Sequence, residues 1–327
     1  MNRRSLYFTA GGKVEIREEA LGDRGPGEVL VQSEVSAISP GTENLIYRGE
    51  APQGMALDGT LSALQGSFEY PFKYGYACAG KVMEAPGDLR HWKGLAVVGL
   101  NPHESHFYAR PEELITIPRG IPLEKACLLP LMETAVNLAL DGGPLIGEEV
   151  VIFGQGLLGL LLTAVLSRFP LSRLVTIEPS PRRRAESLRM GAHLSSHPSE
   201  YGRNGADLVY ELSGRPETLK QAVSICGFGA RVVIGSWYGT RGGDPGLGGD
   251  FHRKRINLIS SQVSTIAPAL TGRWSKQRRI KEAWKMLKIT NTDKLITHRV
   301  PFPRAAAAYE DLDKTESTIG VILTYNN

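Results

Sequence analysis

The stretch "VVIFGQGLLG", residues 150–159, decides the fold. An apolar run enters Gly154, Gly156 and Gly159, spaced G-x-G-x-x-G, and the chain leaves as "LLGLLLTAVLSRF", residues 157–169. Such a motif is weak alone. Here it follows an apolar strand pattern and opens an apolar helix pattern, the context in which it cradles a dinucleotide pyrophosphate. Gly154 permits the tight turn, Gly156 lets the backbone approach the phosphates, and Gly159 lets helix and strand pack closely. The amides of the turn and helix start, from Gln155 through Leu157 and Leu158, together with the helix dipole, favour an anion.

Outward from this motif the pattern alternates. Strand-like runs "RLVTIE", "DLVYEL", "ARVVIGS" and "INLISSQ" are separated by the helix-like "RRRAESLRMG" and "PETLKQAVSICG". This predicts an open, mostly parallel, doubly wound sheet, an α/β fold, from Glu149 to about Ser261. Glu178 closes the second run nineteen residues past Gly159. A carboxylate there binds the adenosine ribose hydroxyls and repels a 2′-phosphate, which favours NAD. The run Arg182–Arg183–Arg184 leaves NADP open, with Arg183 a candidate phosphate contact. The alternative is that Glu178 caps a turn and the arginines form a solvated helix face.

The first third reads as short strands broken by Gly and Pro. In "EVLVQSEVSAIS", residues 28–39, Val29, Val31, Val35 and Ala37 fall on one face at period two, which predicts a half-buried strand. Residues 122–141 have the length and apolarity of a helix that Pro130 kinks or splits, and this helix is expected to link two domains. Past Gly272, "SKQRRIKEAWKMLK" is a basic amphipathic helix with Ile280, Ala283, Trp284 and Leu287 as its apolar stripe. A helix near Ala305–Leu312 and a strand "GVILTY" follow.

A chain of 327 residues with 42% hydrophobic and 22% charged residues is globular and long enough for about two domains. A net charge of +4 is too small an excess to argue for nucleic acid. The three cysteines, Cys78, Cys127 and Cys226, have no Cys-x-x-Cys spacing and read as reduced thiols, which fits a cytoplasmic protein. The N-terminus lacks an apolar signal core, and "LLGLLLTAVL" is too short to span a bilayer, so no membrane association is expected.

The whole chain resembles the medium-chain dehydrogenase/reductase superfamily, the zinc-type alcohol dehydrogenase-like proteins. The residues that carry the resemblance are "SPGTE" (39–43), "GYACAGKVMEA", "VVIFGQGLLG", "GSWYG" (235–239), "LITHRVPF", "AAAAYEDLD" and "GVILTY". Within it the chain is most similar to the zincless branch that includes bacteriochlorophyllide a dehydrogenase. The resemblance implies a GroES-like β catalytic domain, residues 1–137 completed by 278–327, and a Rossmann NAD(P)-binding domain, residues 138–277. It implies a homodimer paired through Rossmann-sheet edges, acting on a small-molecule substrate.

The departures from the family matter most. Zinc-dependent members place a cysteine where this chain has Pro40, a His and a Glu where it has Tyr76 and Ala77, and a third ligand near Pro130–Leu131. Catalytic zinc needs three Cys, His or acidic ligands. No zinc is therefore expected. His103 and His106 in "HESH" match no zinc spacing and read as a surface turn. Two arginines that clamp cofactor phosphates in some members correspond to Gly41 and Gly320, leaving the helix start, or another base such as Arg299.

Without a metal, hydroxyls and carboxylates must handle charge and proton at the substrate oxygen. Tyr76 takes a metal-ligand place and is the first candidate donor, able to shuttle a proton if its pKa is lowered; the alternative is a pocket wall. Thr42 matches the family's proton-relay hydroxyl, or is a turn residue. Glu43 matches an acid that orients neighbouring groups, or forms a structural ion pair. Glu133 lies on the linking helix near the family's nicotinamide site, or on an exposed helix edge. Ser213, Gly235 and Ser236 are cofactor-lining candidates, and Trp237 and Tyr238 are candidates for the substrate pocket. "SSQVS", residues 260–264, is a further backbone candidate. In the glycine-rich stretch 238–255, Arg241 and His252 are candidate contacts for a polar or anionic substrate.

Three functions remain: a zinc-independent NAD(P) oxidoreductase on a secondary alcohol or ketone, an enoyl or quinone reductase of the same superfamily, and a non-catalytic dinucleotide- or RNA-binding protein using the basic helix. "LITHRVPF" favours the first. Salt-sensitive binding of generic RNA would favour the last.

Overall fold

The alternation that begins at Glu149 is realised as a six-stranded, all-parallel sheet in the computed structural model, which describes residues 1–315 and 318–325. From edge to edge the strands are Leu194–Ser196, Arg173–Ile177, Glu149–Phe153, Ala206–Glu211, Cys226–Ile234 and Asn257–Ser260. The chain builds outward from Glu149–Phe153, then returns to its other side at Ala206–Glu211. That reversal opens a crevice at the carboxyl ends of the strands, where such sheets bind ligands. Val150, Val151, Ile152 and Phe153 are all buried, so both faces are covered, as a parallel sheet requires. This sheet lies in one compact unit, Leu131–Asn291.

The second unit combines residues 1–130 with the C-terminal segment from Thr292. Its seven-stranded sheet runs Ile296–Pro301, Gly320–Thr324, Val29–Ile38, Cys78–Glu84, Ala96–Gly99 and Leu114–Thr116, with His106–Ala109 also paired to Val29–Ile38. The C-terminal strands thus complete a sheet begun by the N-terminal third. A three-stranded sheet, Lys13–Ala20, Asn2–Ala10 and Phe72–Lys73, lies in the same unit.

Val29–Ile38 corrects the half-buried expectation. Val29, Val31, Val35 and Ala37 are buried, but so are Leu30, Ser36 and Ile38 on the other face. The strand pairs antiparallel with three others and breaks register at Leu30/Val31 and Ser33/Val35. Such irregularities spoil strict alternation.

Pro130 divides the predicted helix into Leu123–Ala126 and Leu129–Gly142. It falls in the first turn of the second piece, where its missing N–H breaks no bond. The basic helix spans Lys276–Ile289 and buries Ala283, Trp284 and Leu287, and Arg279 with them. Among the described residues no helix is long and apolar enough to cross a membrane. The three cysteines are free and buried.

Candidate functional site

The glycine turn comes first. Gly154 has φ +87°, and a Cβ there would lie 2.6 Å from the carbonyl oxygen of Leu212. A Cβ on Gly159 would collide with the carbonyl oxygen of Gly154. Gly156 opens the helix Leu157–Leu166, whose first amides no side chain caps, and a Cβ on Gly156 would meet nothing within 4 Å. Open space therefore faces an uncapped helix start, which fits a dinucleotide pyrophosphate. Leu157 and Gly159 are buried and Leu158 is half-buried.

Gln155 is buried and turned inward. Its Nε2 donates to the carbonyl of Gly154 (3.0 Å), and its Oε1 accepts from Thr163 Oγ1 (2.9 Å). The carboxylate of Glu178 is also buried: Oε2 accepts the Gln155 amide (2.7 Å) and Oε1 the Ser180 amide (3.0 Å). Glu178 thus braces the glycine turn as well as setting a negative charge beside it. Arg184 donates to the carbonyls of Glu178 (2.9 Å) and Pro179 (2.7 Å). Arg183 is half-buried on the following helix.

At the ends of the fourth and fifth strands the organising group is Glu211, which belongs to no sequence motif. Fully buried, its Oε1 accepts the amide of Ser213 (2.8 Å) and also the Ser213 hydroxyl, and its Oε2 accepts the Tyr238 hydroxyl (2.6 Å). Ser236 Oγ accepts the amide of Gly214 (2.9 Å) and donates to the Glu211 carbonyl (3.3 Å). The turns after both strands are thereby tied together. Tyr238 has its hydroxyl engaged by Glu211, and burial and that carboxylate raise its pKa far above the ordinary phenol value. Trp237 and Gly235 are half-buried beside it.

Glu133 lies buried and ion-paired. Arg279 Nε and Nη2 donate to its Oε1 at 2.9 and 2.8 Å. The same guanidinium donates to Asn137 Oδ1 (2.6 Å) and to the carbonyls of Thr265 (2.9 Å) and Val263. All five guanidinium N–H groups are engaged. Burial raises the Glu133 carboxyl, and Arg279 opposes it. Nearby, Ser261 Oγ donates to Asp141 Oδ2 (2.6 Å). The "SSQVS" segment is therefore tethered at both ends of its turn.

In the other unit, Tyr76 is half-buried and its hydroxyl donates to Ser39 Oγ at 2.5 Å. Burial raises its pKa to about 12; hydrogen bonds with Ser39 and Thr42 pull it down, and the charges of Glu43 and Asp58 push it up. The lowered pKa that a proton shuttle requires is not found: Tyr76 is a neutral phenol, suited to donating a hydrogen bond. Thr42 is thus brought to Tyr76.

Glu43, fully buried, accepts the Ser39 amide on Oε1 (2.8 Å) and the Tyr309 hydroxyl on Oε2 (2.5 Å), and His103 Nε2 lies 2.9 Å from Oε2. His103 is not on a surface turn. It is fully buried, its Nδ1 lies 2.7 Å from Ser36 Oγ, and its backbone bonds to Tyr74 and Leu6. The apolar cover is tertiary, which is why local polarity misplaced it. Arg299 forms an ion pair with Glu124 (2.7 Å).

Zinc does not fit this donor set. The places where ligands are expected hold Pro40, Tyr76, Ala77, Pro130 and Leu131. His103 and Glu43 face each other and hydroxyl or amide partners, and among the described residues no group of three His, Cys, Asp or Glu could hold a metal ion.

No family model matches the chain. The L-threonine 3-dehydrogenase of Pyrococcus abyssi is 31% identical over 215 residues, 61% of this chain and 55% of that protein, so the chain spans about half the length of such relatives. The D-guloside 3-dehydrogenase of Escherichia coli is 22% identical over 307 residues, 86% of this chain and 88% of its own. A solved alcohol dehydrogenase from Escherichia coli, complexed with NADH, superposes with a TM-score of 0.79 at 18% identity, covering 99% of each chain. With the parallel sheet, the glycine turn and the C-terminally completed β unit, these likenesses identify the chain as a member of the medium-chain dehydrogenase/reductase superfamily, alcohol dehydrogenase-like.

Proposed function

We propose that the chain is an NAD-dependent oxidoreductase that moves a hydride between the nicotinamide and a secondary alcohol or ketone without a catalytic zinc ion. The observation that carries the reading is the open, uncapped helix start at Gly156, set at the crevice where the sheet reverses. The buried carboxylate of Glu178 supports NAD over NADP, because its charge repels a 2′-phosphate. The relatives' names, both dehydrogenases of hydroxylated small molecules, support an alcohol as substrate class.

Bound nicotinamide supplies the hydride chemistry. The chain's own tasks are to hold the dinucleotide and to stabilise charge at the substrate oxygen. For the second task Tyr76 is the donor. Its phenol stays protonated at neutral pH; with substrate bound the Ser39 hydroxyl turns to donate to the phenol oxygen, which directs the single Tyr76 O–H at a developing alkoxide. Thr42 and Ser39 orient the hydroxyl. Glu133, held by Arg279, acts as an anchor for the segment after the last parallel strand rather than as a free base.

Fluorescence titration with NADH and NADPH tests the cofactor assignment: NADH should bind more tightly, and tighter binding of NADPH would promote the arginine run. Activity should survive chelators; one tightly held zinc per purified chain would overturn the metal-free reading. The edge strand Asn257–Ser260 pairs only with Cys226–Ile234 among the described residues, which supports a homodimer through that edge. A monomeric mass by light scattering would refute it.

A further inference from the structure

We infer that the buried Glu43–His103 pair is a positioning device for Tyr76, taking the structural part of the task that metal ligation performs elsewhere in the superfamily. The inference rests on the proposed role of Tyr76 as donor. It starts from the misfit with zinc: the segment that should bind metal is present, but its functional group is a phenol that needs another means of orientation.

The geometry supplies one. Tyr76 donates to Ser39 Oγ, so its hydroxyl goes where Ser39 goes. Ser39 is the residue before the helix Pro40–Tyr47, and no side chain caps that helix; its amide is held by Glu43 Oε1 at 2.8 Å. The other oxygen of Glu43 meets His103 Nε2 and the Tyr309 hydroxyl. His103 in turn meets Ser36 Oγ, which lies 2.9 Å from the Tyr325 hydroxyl. The imidazole also touches the loop itself. Gly75, with φ +124°, lies so near that a Cβ would come within 2.8 Å of His103 Cδ2. His103 therefore holds the Tyr76 loop from one side by contact with Gly75. From the other side it holds Ser39 through Glu43. Every polar atom of the pair has a partner, and both residues are fully buried. Such a satisfied interior network is rigid. His103 and Glu43 are positioning residues, since neither is exposed to touch a substrate.

The test is a double-mutant cycle with L-threonine and a D-guloside as substrate probes and NAD as cofactor. His103→Gln should lower kcat about ten- to a hundredfold, the scale of a misplaced catalytic group, with little change in KM. The same substitution in a Tyr76→Phe background should cost less than about twofold, because the group it positions is gone. Equal losses in both backgrounds would overturn the inference and leave His103 a structural residue only. Amide hydrogen exchange at Ser39 gives a readout independent of turnover: His103→Gln should speed it at least about tenfold relative to core amides. Unchanged exchange would overturn the brace. If Tyr76→Phe alone keeps full turnover, the role of Tyr76 fails; if neither probe is oxidised, the proposed substrate class fails; in both cases the exchange measurement still decides the brace. Should His103→Gln not fold, Tyr309→Phe, which removes a single hydroxyl from Glu43, carries the same measurements with a smaller expected loss.

Discussion

At the Gly154–Gly159 turn the uncapped polar groups are backbone amides, set by residues close in the chain and by Glu178. Around Tyr76 a single hydroxyl is held by buried side chains gathered from Ser36, Ser39, Glu43, His103 and Tyr309. The first arrangement depends on the absence of side chains: a Cβ at Gly159 would strike the Gly154 carbonyl, and one at Gly156 would enter the open space before the helix. The second depends on their presence and on partners remote in the chain. The glycine turn is shaped mainly by residues close in the chain, with Glu178 bracing the Gln155 amide. The Tyr76 hydroxyl, the donor in the proposed reading, is oriented by a tertiary scaffold.

The largest expected effect tests whether a polar scaffold from remote residues also governs the unit that carries the glycine turn. Arg279→Met leaves Glu133 buried without its cation and frees the carbonyls of Val263 and Thr265. Breaking a buried pair this way should cost about 3–5 kcal/mol of stability, measured by urea unfolding. A loss near zero would show that the segment after the last strand holds itself.

Tyr76→Phe probes the other region. It should leave NADH binding and folding intact and slow turnover by about a hundred- to a thousandfold, ~3–4 kcal/mol, as for one lost donor at a developing oxyanion. The sign of its pH dependence follows from burial. Because the phenol is raised to about 12, its donor form persists, and the wild-type to mutant ratio of kcat should stay flat from neutral pH to about pH 10. A ratio that collapses near pH 7 would mean the phenol titrates as a base.

The smallest effect belongs to Glu178→Gln. The amide can keep one of the two backbone contacts, at Gln155 or Ser180, while the charge is lost. NADPH binding should tighten about tenfold relative to NADH, or ~1.4 kcal/mol, by cofactor fluorescence. No change in preference would mean that Glu178 serves the turn alone.

The parallel sheet, the glycine turn, the acid beyond it and the helix split at Pro130 were all readable from the sequence, because each rests on period, spacing or the backbone limits of Gly and Pro. The two-sided burial of Val29–Ile38, the burial of His103, the saturation of Arg279 and the capping of Glu211 were not. Arg279 sits four residues before Ala283, on the stripe itself, and only its charge disguised it. Glu43 meets His103 across 60 residues of chain and Tyr309 across 266, and Arg279 meets Glu133 across 146. A buried polar side chain is tolerated only when its partners arrive with it. Those partners carry no local signature, so the sequence by itself determined the glycine turn and the helix it opens, and only the tertiary structure decided what holds the residue beside which chemistry is proposed.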